Sequence, residues 1–148
     1  MTIDENELRV VLDERDIVRT MHRYCRALDS GIESEWLDVF TEDAICDTVL
    51  PDGGVYAHLT TRDEFNAFLH AYPRQPVTVP KHVIVDPIIE LDGDTARGES
   101  TFLFLIQASG AAPRVMAWGR YIDHFRREGR VWRIASRICE TEAVAADA

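Results

Sequence analysis

Between residues 13 and 31 the apolar side chains Ile17, Val18, Met21, Tyr24, Cys25 and Leu28 recur at spacings of three and four. That spacing lays them along one stripe of an amphipathic helix. Asp13 reads as its N-cap, Asp16 suits the first turn, and Gly31 is a stop signal. A shorter helix is expected over residues 34–40, with Trp36, Leu37, Val39 and Phe40 turned inward. Residues 44–50 read as a strand, closed by the turn cluster Pro51-Asp52-Gly53-Gly54. Thr61-Arg62-Asp63-Glu64 has the form of a capping box and opens a third helix through Phe65, Phe68 and Leu69. Pro73, Pro76 and Pro80 mark a loop beyond it.

From residue 81 the pattern changes to strands. Segments 81–91, 96–107, 115–126 and 131–140 are rich in β-branched and aromatic residues. Asp92-Gly93-Asp94, Ser109-Gly110-Ala111-Ala112 and Glu128-Gly129 separate them as hairpin signals. Helices followed by a meander give an α+β class, a curved antiparallel sheet wrapped around N-terminal helices. Strong curvature leaves an internal pocket at the wide end. The run Phe102-Leu103-Phe104-Leu105-Ile106 is apolar on both faces. It predicts a central strand covered by a helix on one side and a subunit neighbour on the other, hence a homo-oligomer. One domain is expected over 1–142, with 143–148 a frayed tail.

Composition adds exclusions. A chain of 148 residues with 46% hydrophobic and 28% charged positions supports one globular core. The net charge of −10 and the scattered Lys and Arg speak against nucleic acid and favour a neutral small apolar ligand. Cys25, Cys46 and Cys139 lie far apart in apolar contexts without a CxxC pair, so they read as buried hydrophobes. The acidic start MTIDENEL has no apolar h-region, and no apolar run approaches the roughly 20 residues of a membrane span. The expected location is cytoplasmic, with no membrane partner. His22, His58, His70 and His124 are isolated, and no HExxH, P-loop or GxGxxG is present, so neither metal nor cofactor is expected.

Several segments together resemble a known family. They are Tyr24-Cys25-Arg26-Ala27-Leu28-Asp29-Ser30-Gly31, Trp36-Leu37, Phe40-Thr41-Glu42-Asp43-Ala44, and Lys81-His82-Val83-Ile84-Val85. Asp92-Gly93-Asp94-Thr95-Ala96, Gly119-Arg120-Tyr121, Gly129-Arg130-Val131-Trp132-Arg133-Ile134 and Arg137 continue the series. In order and spacing they resemble the SnoaL-like branch of the nuclear transport factor 2-like (NTF2-like) superfamily, and cover nearly the whole chain. The resemblance implies a cone-shaped cystatin-like α+β barrel. Within the superfamily the chain is most similar to lyases of the scytalone dehydratase and bile-acid 7α-dehydratase type, which are trimers; dimers occur in the wider fold. Asp29 and His82 match their catalytic Asp and His, and Tyr24 matches the catalytic Tyr of the bile-acid enzyme. Leu28 and Thr48 stand where scytalone dehydratase has two tyrosines, Trp118 replaces its second histidine, and Phe104 falls near an acidic residue of the bile-acid enzyme. Thr48, Phe104, Trp118 and Arg137 are therefore expected substrate contacts.

These residues could carry a proton-transfer reaction. Neutral His is a suitable base at pH 7, and a carboxylate on its other ring nitrogen fixes the tautomer. The Tyr24 phenol could donate to a developing enolate oxygen, and Arg137 could share that task. Each also has a plainer reading. Asp29-Ser30-Gly31 is a turn sequence, Tyr24 lies on the buried stripe, and Arg137 suits a carboxylate partner. The leading expectation is a cofactor-independent dehydratase acting on a hydroxylated or carbonyl-bearing polyketide, steroid or terpenoid. The alternatives are an isomerase or cyclase, a sequestering module, or a non-catalytic subunit resembling the small subunit of ring-hydroxylating dioxygenases.

Overall fold

The computed structural model describes residues 4–74 and 78–146. Pro76 of the expected loop lies outside these residues. Helix α1 (Glu5–Ser30) starts well before residue 13. Its N-cap is Asp4, whose carboxylate accepts the Asn6 N–H at 3.1 Å, and Glu5 and Glu7 favour the positive end of the helix. Asp13 is no cap: within the helix it accepts the Trp132 indole N–H at 2.9 Å and an Arg127 N–H at 3.1 Å. The early turns escaped the periodicity because their apolar residues, Leu8, Val10, Val11 and Leu12, are exposed. Gly31 ends the helix at φ 69°, its N–H bonded to the Ala27 carbonyl.

Helix α2 (Glu33–Asp38) leads directly into strand β1 (Phe40–Val49). Strand β2 (Val55–Leu59) then forms a hairpin edge that its short, exposed pattern concealed. Helix α3 (Arg62–Ala71) carries the complete Thr61/Glu64 capping box. Strands β3 (Thr78–Asp92), β4 (Thr95–Ala108), β5 (Arg114–Glu128) and β6 (Val131–Val144) form the meander. Pro80 lies in β3, not in a loop.

The six strands are ordered β2-β1-β6-β5-β4-β3 in one curved sheet. It is mixed, since β1 runs parallel to β6. No hairpin joins those two strands, so nothing forces them to oppose, whereas every tight turn in the meander does. β6 continues past residue 142: Ala143 and Val144 pair with Trp118 and Ala117, and the Ala145 N–H bonds the Met116 carbonyl at 2.8 Å.

The concave face holds α1. Ile17, Met21, Tyr24, Cys25 and Leu28 pack with Phe102, Tyr121, Phe125, Trp132 and Ile134, while Trp36, Phe40, Phe65 and Leu69 close one end. Each such side chain contributes about 1.5–3 kcal/mol by leaving water. β5 must bend beside β6 at Gly119, where an added Cβ would stand 2.0 Å from the Glu140 carbonyl oxygen. Among the described residues no helix is long and apolar enough to cross a membrane.

Candidate active site

The last turn of α1 turns Leu28 into the core and presents Asp29 to β3. A carboxylate there opposes the helix dipole and needs compensation. It comes from His82, on the strand alongside. The His82 backbone N–H donates to Asp29 Oδ2 at 3.0 Å, and its ring Nδ1 lies 2.7 Å from Oδ1. Both side chains are nearly sealed, with accessibilities of 7% for His82 and 5% for Asp29. In the neutral ring, Nδ1–H donates to the carboxylate and leaves Nε2 as an acceptor. The Tyr72 hydroxyl, 3.2 Å away, donates to that nitrogen.

The β3–β4 register fixes the ring plane. His82 pairs with Phe104 and stacks on it at 4.6 Å and 16°. Arg74 secures the helix ends: its guanidinium donates to the Leu28 carbonyl at 2.9 and 3.1 Å and to the Leu69 carbonyl at 2.6 Å. It thus satisfies terminal carbonyls of both α1 and α3 and places positive charge where each dipole is negative. Burial, followed by the Asp29 charge, pushes the Tyr72 phenol well above its ordinary pKa, so it stays a donor.

His82 and Tyr72 line a cavity of about 110 Å³ together with Tyr24, Leu28, Thr48, Phe104 and Tyr121. Tyr56, exposed on β2, also borders it. The other face of the dyad adjoins an open hollow of about 280 Å³ lined by His22, Arg26 and Lys81. A larger hollow of about 410 Å³ lies away from the dyad, with Asp86, Arg97, Glu99 and Arg120 in its charged walls. The smallest of the three is the one that the Tyr72–His82 contact lines.

The structure therefore brings Asp29, His82, Tyr24, Thr48 and Phe104 around one site. Trp118 and Arg137 need correction as substrate contacts. β5 alternates, and with Ala117, Gly119 and Tyr121 turned inward Trp118 falls on the outer face, 46% exposed. Arg137 is buried behind the cavity wall, donating to both Asp123 oxygens at 2.7 and 2.6 Å. A charge at such depth needs a bidentate partner more than a solvent-facing role. The Arg137 guanidinium lies 4.0 Å from the ring centres of both Tyr24 and Tyr121.

Tyr72, Tyr121 and Arg74 were missed by sequence reasoning. A signal for Tyr72 existed, since Phe65, Phe68, Leu69 and Tyr72 continue one helical stripe. Arg74 had none, because backbone carbonyls as partners leave no trace in sequence. Among the described residues no group of three His, Cys, Asp or Glu gathers to hold a metal ion.

Comparison with known proteins agrees with this architecture. The SnoaL-like domain model matches residues 9–138. No curated protein matches the chain by sequence. A solved protein described as the β subunit of an aromatic-ring-hydroxylating dioxygenase, from Novosphingobium aromaticivorans, superposes with a TM-score of 0.80 at 17% identity, covering 92% of this chain and 93% of that one. A protein described as a scytalone dehydratase, from the same organism, superposes with a TM-score of 0.74 at 20% identity, covering 91% and 87%. An NTF2-like protein with a cystatin-like fold, again from that organism, gives 0.78 at 20% identity and covers 100% and 96%. At these identities the likeness establishes the fold, not the activity.

Proposed function

The chain belongs to the SnoaL-like domain family, and from that premise we propose that it is a cofactor-independent lyase of the dehydratase type. One observation carries the reading: a nearly sealed Asp29–His82 pair, 2.7 Å apart, whose free ring nitrogen meets Tyr72 at the wall of a cavity.

In the proposed reaction His82 Nε2 takes a proton from a carbon next to a carbonyl or flanking a leaving hydroxyl. The C–H electrons become the new double bond, and the C–O bond breaks. The imidazolium, stabilised by Asp29, returns its proton to the departing hydroxide, and water leaves. Tyr24 donates to the enolate oxygen that forms on the way. Tyr72 gives up Nε2 when substrate enters and then donates to the leaving oxygen.

A cavity of about 110 Å³ is below the roughly 300 Å³ of an ordinary ligand pocket. It compares with the about 150 Å³ engineered cavity that holds benzene. The reacting ring of a polyketide, steroid or terpenoid type molecule would sit inside, with any remainder leaving past Tyr56. An isomerase or cyclase would use the same proton transfers without losing water. The likeness to a dioxygenase β subunit favours a second reading, a non-catalytic subunit. Against it stands the cavity itself, which a purely structural subunit has reason to fill.

Self-association is part of the proposal. The outer sheet face exposes Val83, Val85, Trp118 and Ile138, which a second copy of the chain would cover.

The test uses compact cyclic β-hydroxy ketones as probes, following enone absorbance and α-deuterium exchange. The wild type should eliminate or exchange, and Asp29→Asn and His82→Ala should each lose about 10²–10⁴-fold. Equal rates in wild type and variants would discard the mechanism.

A further inference from the structure

Tyr24 on α1 and Tyr121 on β5 share a wall of the cavity onto which the Tyr72–His82 contact opens. Their rings meet edge to face, with centroids 5.6 Å apart. Arg137 lies between them, its guanidinium 4.0 Å from each ring centre, and Asp123 grips it from the side with two hydrogen bonds. Both members of this ion pair have no solvent exposure at all.

Three donors in this stack have no acceptor among the described residues: both tyrosine hydroxyls and Arg137 Nη1, the last fully enclosed. A buried phenol ordinarily finds a partner. Here neither hydroxyl has a hydrogen-bond partner among the described residues, and both tyrosines line the cavity. We propose that Tyr24 and Tyr121 together donate to one ring-borne oxygen of the substrate, a carbonyl that becomes an enolate, while the Arg137–Asp123 pair positions and polarises them. This rests on the proton-abstraction reading and extends it: it names a second donor, gives Arg137 a role without substrate contact, and defines the ligand as a compact ring bearing an oxygen acceptor.

The electrostatics agree. Burial pushes both phenols well above their ordinary pKa, and the Arg137 charge only partly counters it, so both remain protonated donors. A cation over the ring face draws electron density from the phenol oxygen and strengthens its O–H as a donor. Asp123 supplies the counter-charge that lets a guanidinium stay at this depth.

The test needs no natural substrate. The probes are 4-nitrophenol, whose phenolate absorbs visibly and mimics an enolate, and 4-nitrotoluene, which has the ring without the oxygen. Wild-type protein should bind nitrophenol at least tenfold more tightly and show bound phenolate absorbance. Tyr24→Phe and Tyr121→Phe should each cut nitrophenol affinity about tenfold and leave nitrotoluene affinity unchanged. Replacing the ion pair together, Arg137→Met with Asp123→Leu, should retain the fold and reduce the phenolate signal to the same degree. If that double variant does not fold, Arg137→Lys, which keeps the charge without the planar fork, should weaken the signal partially.

Unchanged nitrophenol preference in both tyrosine variants overturns the donor pair. An unchanged phenolate signal in the arginine variants overturns the positioning role. His82→Ala should leave the preference intact. Absence of base chemistry in the wild-type protein with the preference intact therefore sinks the lyase reading alone, and wild-type base chemistry without the preference sinks only this inference.

Discussion

The Asp29 carboxylate receives two donors from a single residue, the backbone N–H and the ring Nδ1–H of His82. The first fixes the strand against the end of α1, and the second fixes the imidazole on that strand. Position and orientation of the base thus come from one carboxylate. The contact spans 53 positions in sequence, so Asp29 is not serving a local turn.

Asp29→Asn tests that double duty. The neutral amide keeps an acceptor for the backbone N–H but loses the charge that stabilises the imidazolium. Turnover should fall about 10²–10⁴-fold while stability drops only about 1–3 kcal/mol, measured by steady-state kinetics and urea denaturation of the same preparation. A large stability loss with normal turnover would make Asp29 a structural residue.

Tyr72→Phe removes the hydroxyl at His82 Nε2 and leaves the ring packing against Phe68 and Phe104. Asp29 and the stack on Phe104 still hold the imidazole. The expected result is a thermal midpoint within a few degrees of wild type and a kcat lower by about tenfold, with KM little changed.

Asp123→Ala leaves Arg137 buried without its counter-charge. It should destabilise by about 3–5 kcal/mol, read from the denaturation midpoint, whereas Asp123→Leu with Arg137→Met should recover most of that loss. Equal stability of single and double variants would show that the pair does not act as a unit.

Burial pushes the thiols of Cys25, Cys46 and Cys139 from 9.0 up to about 12. The unfolded chain loses these protons first as pH rises, so the stability that they contribute is complete below pH 9 and is lost between 9 and 12. A thiol reagent at pH 8 should leave the buried Cys25 and Cys46 unmodified until denaturant is added. Replacing Cys46 with Ala should flatten the alkaline decline measured by urea unfolding. Rapid labelling of Cys25 or Cys46 in the folded protein would contradict this burial.

Trp118→Glu places a charge in the centre of the exposed outer face without touching the cavity. Sedimentation should show a lower mass for the variant than for the wild type, with base-catalysed exchange retained. Identical masses would remove this face from self-association.

The strands and helices of this protein are largely legible in its sequence, because they rest on local rules. The 3.6-residue stripe of α1, the Thr61/Glu64 box and the Gly93 and Gly129 turns need no distant partner, and each is present as expected. Asp29 and His82 stood out through resemblance, since nothing local joins residues so far apart. Tertiary packing set the rest. Parallel pairing of β1 with β6, the exposure of Trp118 and the burial of Arg137 depend on which strands meet and which way the pleat faces. Chain folding alone brings Tyr72 to the imidazole and two tyrosine faces to one guanidinium. Hydrogen bonds and ion pairs are short-ranged in space but unconstrained in sequence separation, and periodicity cannot report them.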